Sequence, residues 1–144
     1  MKILVLNGPN LDRLDIRDSK IYGELSYGQL SELITTRAVE LGFEADIRQS
    51  NDEAEIIGWL HDASDSTTPV IFNAAAFTHY SYAIRDAVSM LKAPIIEVHL
   101  SNPMAREEFR HTSVISGVVV GSISGFGPHS YLLALEAMRN LLQK

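Results

Sequence analysis

Short apolar runs alternate with helix-period segments five times along the chain, and this alternation constrains the fold more than any other feature. Residues 3–6, 70–72, 94–100 and 118–123 are apolar and partly β-branched, as strands buried on both faces are. Residues 44–48 alternate polar and apolar, which suits an edge strand with one wet face. Between the runs, Leu30, Leu33, Ile34, Val39 and Leu41 form one helical stripe ended by Gly42. Ile56, Ile57, Leu60 and Ala63 form a second, with Asn51 as its expected N-cap. A third helix is expected over about residues 78–91, and a last one from His129 onward, where Leu132, Leu133, Leu135, Met138, Leu141 and Leu142 recur at helical spacing.

Strand followed by helix, five times, predicts an α/β domain with a five-stranded parallel sheet, right-handed crossovers and the three layers of a flavodoxin-like sandwich. No repeat, linker or low-complexity tract divides residues 1–144, so they read as one catalytic or binding domain. Such sheets bind ligands beyond the carboxyl ends of their strands. The residues expected there are polar: Asn10 after strand one, Asn73 and His79 after strand three, Glu97 through Ser101 at the end of strand four.

Composition removes several function classes. The chain has no cysteine, which excludes thiol redox chemistry, thiolate metal sites and cysteine nucleophiles, and suits a reducing compartment; the cytoplasm is the expected location. A formal charge of −6, without a basic run, argues against a nucleic-acid partner. The first apolar run stops at Asn7-Gly8-Pro9, too short for a signal-peptide core or a membrane span. The histidines and acids lack metal-ligand spacing, no phosphate loop or dinucleotide fingerprint is present, and no lysine is placed like a Schiff-base former, so neither metal nor cofactor is expected.

Four segments carry candidate chemistry. Residues 11–25 form a connection without regular period, too long for an ordinary βα loop and placed as a lid would be. It holds Arg17 and Tyr22: either a solvated loop whose charges pair among themselves, or a tyrosine base whose anion needs a neighbouring cation, because an ordinary phenol is only about 0.1% ionised at pH 7. In strand four, Glu97 and His99 share a face, so each can satisfy the other and the carboxylate can fix the imidazole tautomer for general-acid work. The loop from Asn73 to His79 is built of small side chains that leave backbone open to a ligand, or is merely a helix start capped by Thr78. His79 and Asp86 fall on one face of the expected helix but roughly 10 Å apart, too far for one small substrate, so Asp86 would serve a neighbouring subunit. The fourth segment, AREEFRH, reads as a short helix with Arg106 and Arg110 on one face, either salted by Glu107 and Glu108 or holding an anion.

Taken together, NGPNLDRLDIRDSKIYG, RQSNDEAEIIGWLHDA, VIFNAAAFTHYSYAIRDA, IIEVHLSN with REEFRHTSVIS, and GSISGFGPHSYLLALEA resemble, in order and spacing, the segments of type II 3-dehydroquinate dehydratases, over nearly the whole chain. The resemblance implies cofactor-free anti elimination of water from 3-dehydroquinate, through an enolate, to 3-dehydroshikimate. Tyr22 matches the proton acceptor and Arg17 the arginine that activates it; His99 matches the proton donor and Glu97 its orienting carboxylate. Asn10 matches the asparagine holding a water against the enolate oxygen. Asn73, His79 and Arg110 match residues that bind the ring hydroxyls, Leu100 and Ser101 those that receive the carboxylate, and Arg106 a second arginine near the tyrosine. Asp86 matches an acid donated across a subunit boundary in a trimer, four trimers making a homododecamer.

Five positions depart from that family's usual pattern: Asp12, Asp15, Asp18, Ser19 and Ala74 stand where asparagine, glycine, glutamate, proline and proline are usual. Asp15 is expected to forbid any positive-φ conformation there and to compete for Arg17. A small-anion binding module of the same fold, without turnover, is the rival reading.

Overall fold

The computed structural model describes residues 1–22 and 24–143. Five parallel strands lie in the order β2-β1-β3-β4-β5: β1 (Lys2–Asn7), β2 (Glu44–Gln49), β3 (Val70–Asn73), β4 (Ile95–His99) and β5 (Gly121–Ser124). Helices cover both faces, as the α/β expectation requires. Alternation along β1 divides the core: Ile3 and Val5 face α2 (Tyr27–Glu40) and α5 (His129–Leu142), whereas Leu4 and Leu6 face α3 (Glu53–Ser66) and α4 (Tyr82–Ser89). β1, β3 and β4 are buried on both faces, and β2 is half-buried along most of its length, as an edge strand is. Among the described residues, no helix is long and apolar enough to cross a membrane.

Local chemistry sets the helix boundaries. Ser26 and Gln29 form a reciprocal capping box at the start of α2, and Gly42, at φ 84°, turns the chain out of it. Asp52 rather than Asn51 caps α3, its Oδ1 accepting from the Ala54 amide at 2.9 Å; Asn51 instead accepts from the Asn10 amide.

Three expected elements differ. The helix expected over residues 78–91 is broken: a 3-10 turn, Ala75–His79, ends at Tyr80, and α4 starts afresh with Ser81 as its cap. His79 and Asp86 are therefore on separate elements. The segment around Arg106 is not a helix but two 3-10 turns, Pro103–Ala105 and Glu108–Arg110, with Arg106 extended between them at φ −115° and ψ −162°. The i,i+4 relation of Arg106 to Arg110 is thereby lost. β5 starts at Gly121 rather than at 118, because Val118 and Val119 pack against the α3–α4 side of the core after a 3-10 turn, Ser116–Val118.

The segment expected to form a lid is more ordered than its lack of period implied. A 3-10 helix, Leu11–Ile16, buries Leu11 and Leu14 in the core, and a single turn, α1 (Ser19–Tyr22), follows. Asp15 sits inside that 3-10 helix without positive φ, and its carboxylate takes Arg13, at 3.1 and 3.4 Å, not Arg17. Asp15 thus avoids positive φ, as expected, and the expected competition for Arg17 does not occur.

β1 and β3 run side by side and their exits are pinned together. The Gly8 amide donates to the Asn73 carbonyl at 2.7 Å, so close that a Cβ at position 8 would stand 2.5 Å from the Ala74 carbonyl oxygen. Backbone on both sides leaves no flexible atom to yield. Gly8→Ala is expected to lower stability by about 1–3 kcal/mol, read as a drop in urea midpoint at unchanged m-value.

Candidate active site

A cleft of about 600 Å³, mouth included, opens beyond the carboxyl ends of β1, β3 and β4. This is where the strand order reverses, β1 leading outward to β2 on one side and β3 lying on the other. Ten of the twelve residues expected from sequence line it: Asn10, Arg17, Tyr22, Asn73, His79, His99, Leu100, Ser101, Arg106 and Arg110. Glu97 lies behind His99, buried to 2% exposure. Asp86 is exposed on α4 and is not part of the cleft of its own chain.

Two guanidinium groups meet at the Tyr22 hydroxyl. Arg17, five residues earlier, donates through Nη2 and also lies over the ring, its Cζ 3.5 Å from the centroid. Arg106, from the far side of the cleft, donates through its own Nη2 at 2.6 Å. Arginine has only donors, so the phenolic oxygen accepts two charge-assisted hydrogen bonds. Arg106 is itself held by Ser101 Oγ at 3.2 Å, and its Nε is buried without a partner. Partial burial lowers the pKa of Arg17; Tyr22 opposes the effect, and the charges of Arg106 and Arg110 add to it.

The opposite function is built on β4. His99 Nε2 is 2.5 Å from Glu97 Oε2, as the shared strand face required. Ser116 Oγ donates to Glu97 Oε1 at 2.6 Å, and Ser113 Oγ lies 3.0 and 3.2 Å from the two carboxylate oxygens. Burial pushes the Glu97 carboxyl upward, but the bonds from His99, Ser116 and Ser113 outweigh it and hold the group below the usual range. An ionised carboxylate only accepts, so Nε2 carries a proton and Nδ1 is the nitrogen free to gain and release one.

The floor and remaining wall are fixed by backbone. Asn73 donates through Nδ2 to Tyr131 at 2.9 Å and accepts through Oδ1 from the Ala75 amide at 3.1 Å; Tyr131 in turn donates to Asn7 at 2.6 Å. Tyr131 is fully buried on α5, and burial raises its pKa well above the ordinary phenol value, so it is a structural hydroxyl. His79 Nδ1 is 2.8 Å from the Thr112 carbonyl, which requires the proton on Nδ1 and leaves Nε2 an acceptor. Asn10 and Ala75, both on the cleft wall, have φ of 69° and 52°. Non-glycine residues rarely hold that conformation, and finding it twice at one rim marks a backbone shaped for a ligand.

Ser113, Ser116, Thr112 and Tyr131 were not singled out from sequence. The serines and Thr112 fall in the quoted REEFRHTSVIS, but nothing in their spacing ties them to β4 or His79; Tyr131 falls in the quoted GSISGFGPHSYLLALEA, where nothing in its spacing ties it to Asn73. Among the described residues, no group of three or more histidine, aspartate or glutamate side chains is gathered to hold a metal ion.

A family model described as dehydroquinase class II matches residues 1–139. The 3-dehydroquinate dehydratase of Mycobacteroides abscessus is 54% identical over 136 residues, 94% of each chain. That of Caldicellulosiruptor bescii is 51% identical over 142 residues, 98% of each. The crystal structure of the type II dehydroquinase from Propionibacterium acnes matches with a TM-score of 0.94 and 48% identity, over 96% of both chains.

The His79 tautomer is testable. Burial lowers its pKa from 6.5, with the Thr112 bond opposing, and the charges of His99 and Arg110 add to the lowering. Nitrogen-15 NMR at pH 7 is expected to show a neutral ring protonated on Nδ1 that titrates below 6.5. The unfolded chain binds this proton first as pH falls. The contribution to stability is thus complete above pH 6.5 and lost as pH drops through the folded value, and His79→Gln is expected to remove that part of the pH dependence.

Proposed function

The chain belongs to the class II dehydroquinase family, and we propose that it eliminates water from 3-dehydroquinate with Tyr22 as the base and His99 as the acid. The observation that carries the assignment is the pair of arginines on one phenolic oxygen, facing a cleft whose other wall holds a histidine backed by a buried carboxylate.

The reaction gives 3-dehydroshikimate. The phenolate of Tyr22 takes a proton from C2, next to the C3 ketone, and the electron pair moves onto the ketone oxygen as an enolate. When the enolate collapses, the double bond forms between C1 and C2 and the C1 hydroxyl departs as water with a proton from His99. Tyr22 ends protonated and His99 deprotonated, and exchange with solvent restores both. The base belongs to the lid and the acid to a strand end, so they act on opposite faces of the ring, as anti elimination demands. General acid–base partners of this kind each contribute about 10² to 10⁴-fold.

The other cleft residues have assigned tasks. Asn10, held in the left-handed conformation at the rim, positions a water against the enolate oxygen. The segment Leu100-Ser101, with Arg106 on Ser101 Oγ, receives the substrate carboxylate. Asn73, Arg110 and the Nε2 acceptor of His79 bind ring hydroxyls. Residues 1–144 act as one catalytic domain with residues 11–25 as its lid, and the cysteine-free composition suits the cytoplasm. Asp86, exposed and away from its own cleft, supports a site completed by a neighbour in a trimer, four trimers forming the dodecamer.

Product formation is followed by the ultraviolet absorbance of the conjugated enone. Tyr22→Phe is expected to cut kcat at least about 100-fold with a native fold; undiminished turnover would remove the tyrosine from the mechanism. Saturable binding of a dehydroquinate analogue by the unaltered chain, with no enone formed, would instead favour the binding-module reading. Sedimentation of the chain tests assembly: a species of one chain that retains full activity would overturn the assignment of Asp86 to a partner's cleft.

A further inference from the structure

The segment that follows Arg110 approaches the buried end of β4 and meets Glu97 with two hydroxyls. Ser116 Oγ donates to Oε1 at 2.6 Å; Ser113 Oγ donates to the carboxylate at 3.0 Å while accepting from the Ile115 and Ser116 amides at 3.3 and 3.1 Å. Ser113 has one hydroxyl proton, and with two amides already pointed at its oxygen that proton has one sensible acceptor. The backbone thus aims Ser113 at Glu97, and the same turn delivers Ser116 to the other oxygen. With His99 on Oε2, the carboxylate accepts three hydrogen bonds, from two separate segments of chain.

We propose that Ser113 and Ser116 are positioning residues for proton donation: they hold Glu97 ionised and turned so that Oε2 takes the His99 Nε2 proton, which leaves His99 Nδ1 to serve the departing hydroxyl. The proposal rests on the assignment of His99 as the acid. Neither serine is part of the cleft lining, so each acts through Glu97 and not on substrate. The ionisable groups that share this environment are His99 on the same strand and His79 on the turn after β3, with Arg110 acting on His79 from the loop. Every one of them favours a charged Glu97 when protonated; the serines do so at any pH, because their hydroxyls do not titrate in the working range.

Ser116→Ala removes the shorter hydroxyl bond and leaves the Ser113 turn intact. Expected are a kcat lower by about 5 to 20-fold, a KM changed less than about twofold, and a Glu97 carboxyl midpoint, followed by carbon-13 NMR, that moves up. The acid limb of the kcat profile is expected to move up with it. Ser116→Thr, which keeps the hydroxyl, is expected to restore both. The proposal is overturned if Ser116→Ala leaves kcat and the Glu97 midpoint unchanged, or lowers kcat with the midpoint in place and no rescue by threonine. Should Ser116→Ala fold poorly, Ser113→Thr and Ser113→Ala carry the same comparison, and the NMR midpoint must again rise only in the alanine variant. Absence of enone formation by the unaltered chain would count against the dehydration itself, whereas the carboxyl titration reads the serine contacts without turnover.

Discussion

A charged carboxylate buried within a sheet is the constraint on which the site depends. Glu97 lies on β4 between β3 and β5, with Phe72 and Ser122 opposite it in register. An ionised group there costs several kcal/mol unless it is well partnered. The chain meets that demand from two directions. His99, two residues on, supplies one donor within the strand, and residues 113–116 supply the others from outside it. The stretch that bridges β4 and β5 is therefore tied down at its far end, and everything carried on it inherits a fixed position.

What that stretch carries is most of the polar machinery. Arg106 reaches back to Tyr22, and its carbonyl is 3.0 Å from His111 Nε2. Arg110 is paired with Glu107 at 3.0 Å and lines the cleft. The Thr112 carbonyl sets the His79 tautomer, and the serines hold Glu97. One run of eleven residues thus touches Tyr22, Glu97 and His79. The two short 3-10 turns on either side of Arg106, Pro103–Ala105 and Glu108–Arg110, are well suited to this. A continuous α-helix would have placed Arg106 and Arg110 on one face, whereas the extended residue between the turns sends Arg106 to Tyr22 and leaves Arg110 to line the cleft from the second turn.

Periodicity carried the sheet, its five strands and the two-sided core, because buried strands and amphipathic helices are written directly in residue spacing. The pairing of Glu97 with His99 was legible for the same reason, strand parity being a local property. Local spacing failed where chain ends and turns compete with it. Ser81 interrupts a stretch whose apolar spacing alone runs on to Leu91, and Pro103 starts a 3-10 turn where charge spacing suggested a helix. Asp15 shows the same limit for electrostatics. From spacing it flanks Arg17, yet the 3-10 helix turns it toward Arg13. The contacts of Ser113 and Ser116 with Glu97 bridge 16 and 19 residues of sequence and have no periodic signature at all.

The net charge of −6 conceals the field that a substrate meets. Arg17, Arg106 and Arg110 line one cleft, and among the described residues no acidic side chain lines it with them. Glu97 is screened from the cavity by His99, and Glu107 engages Arg110 from the exposed side. Three like charges brought this close destabilise one another: burial is the main cause of the lowered hold of Arg17 on its proton, and the charges of Arg106 and Arg110 lower it further. The repulsion is relieved by negative charge placed among them, and the reaction as proposed provides two sources: the phenolate of Tyr22 and the carboxylate of the substrate. The first gains from two guanidinium donors, and the second neutralises positive charge left over when Tyr22 takes up its proton. In the proposed mechanism, binding an anion and generating the base are therefore the same electrostatic problem solved by one set of arginines, with the acid kept apart on the other wall, its carboxylate behind it, so that the two halves of the proton transfer do not quench each other.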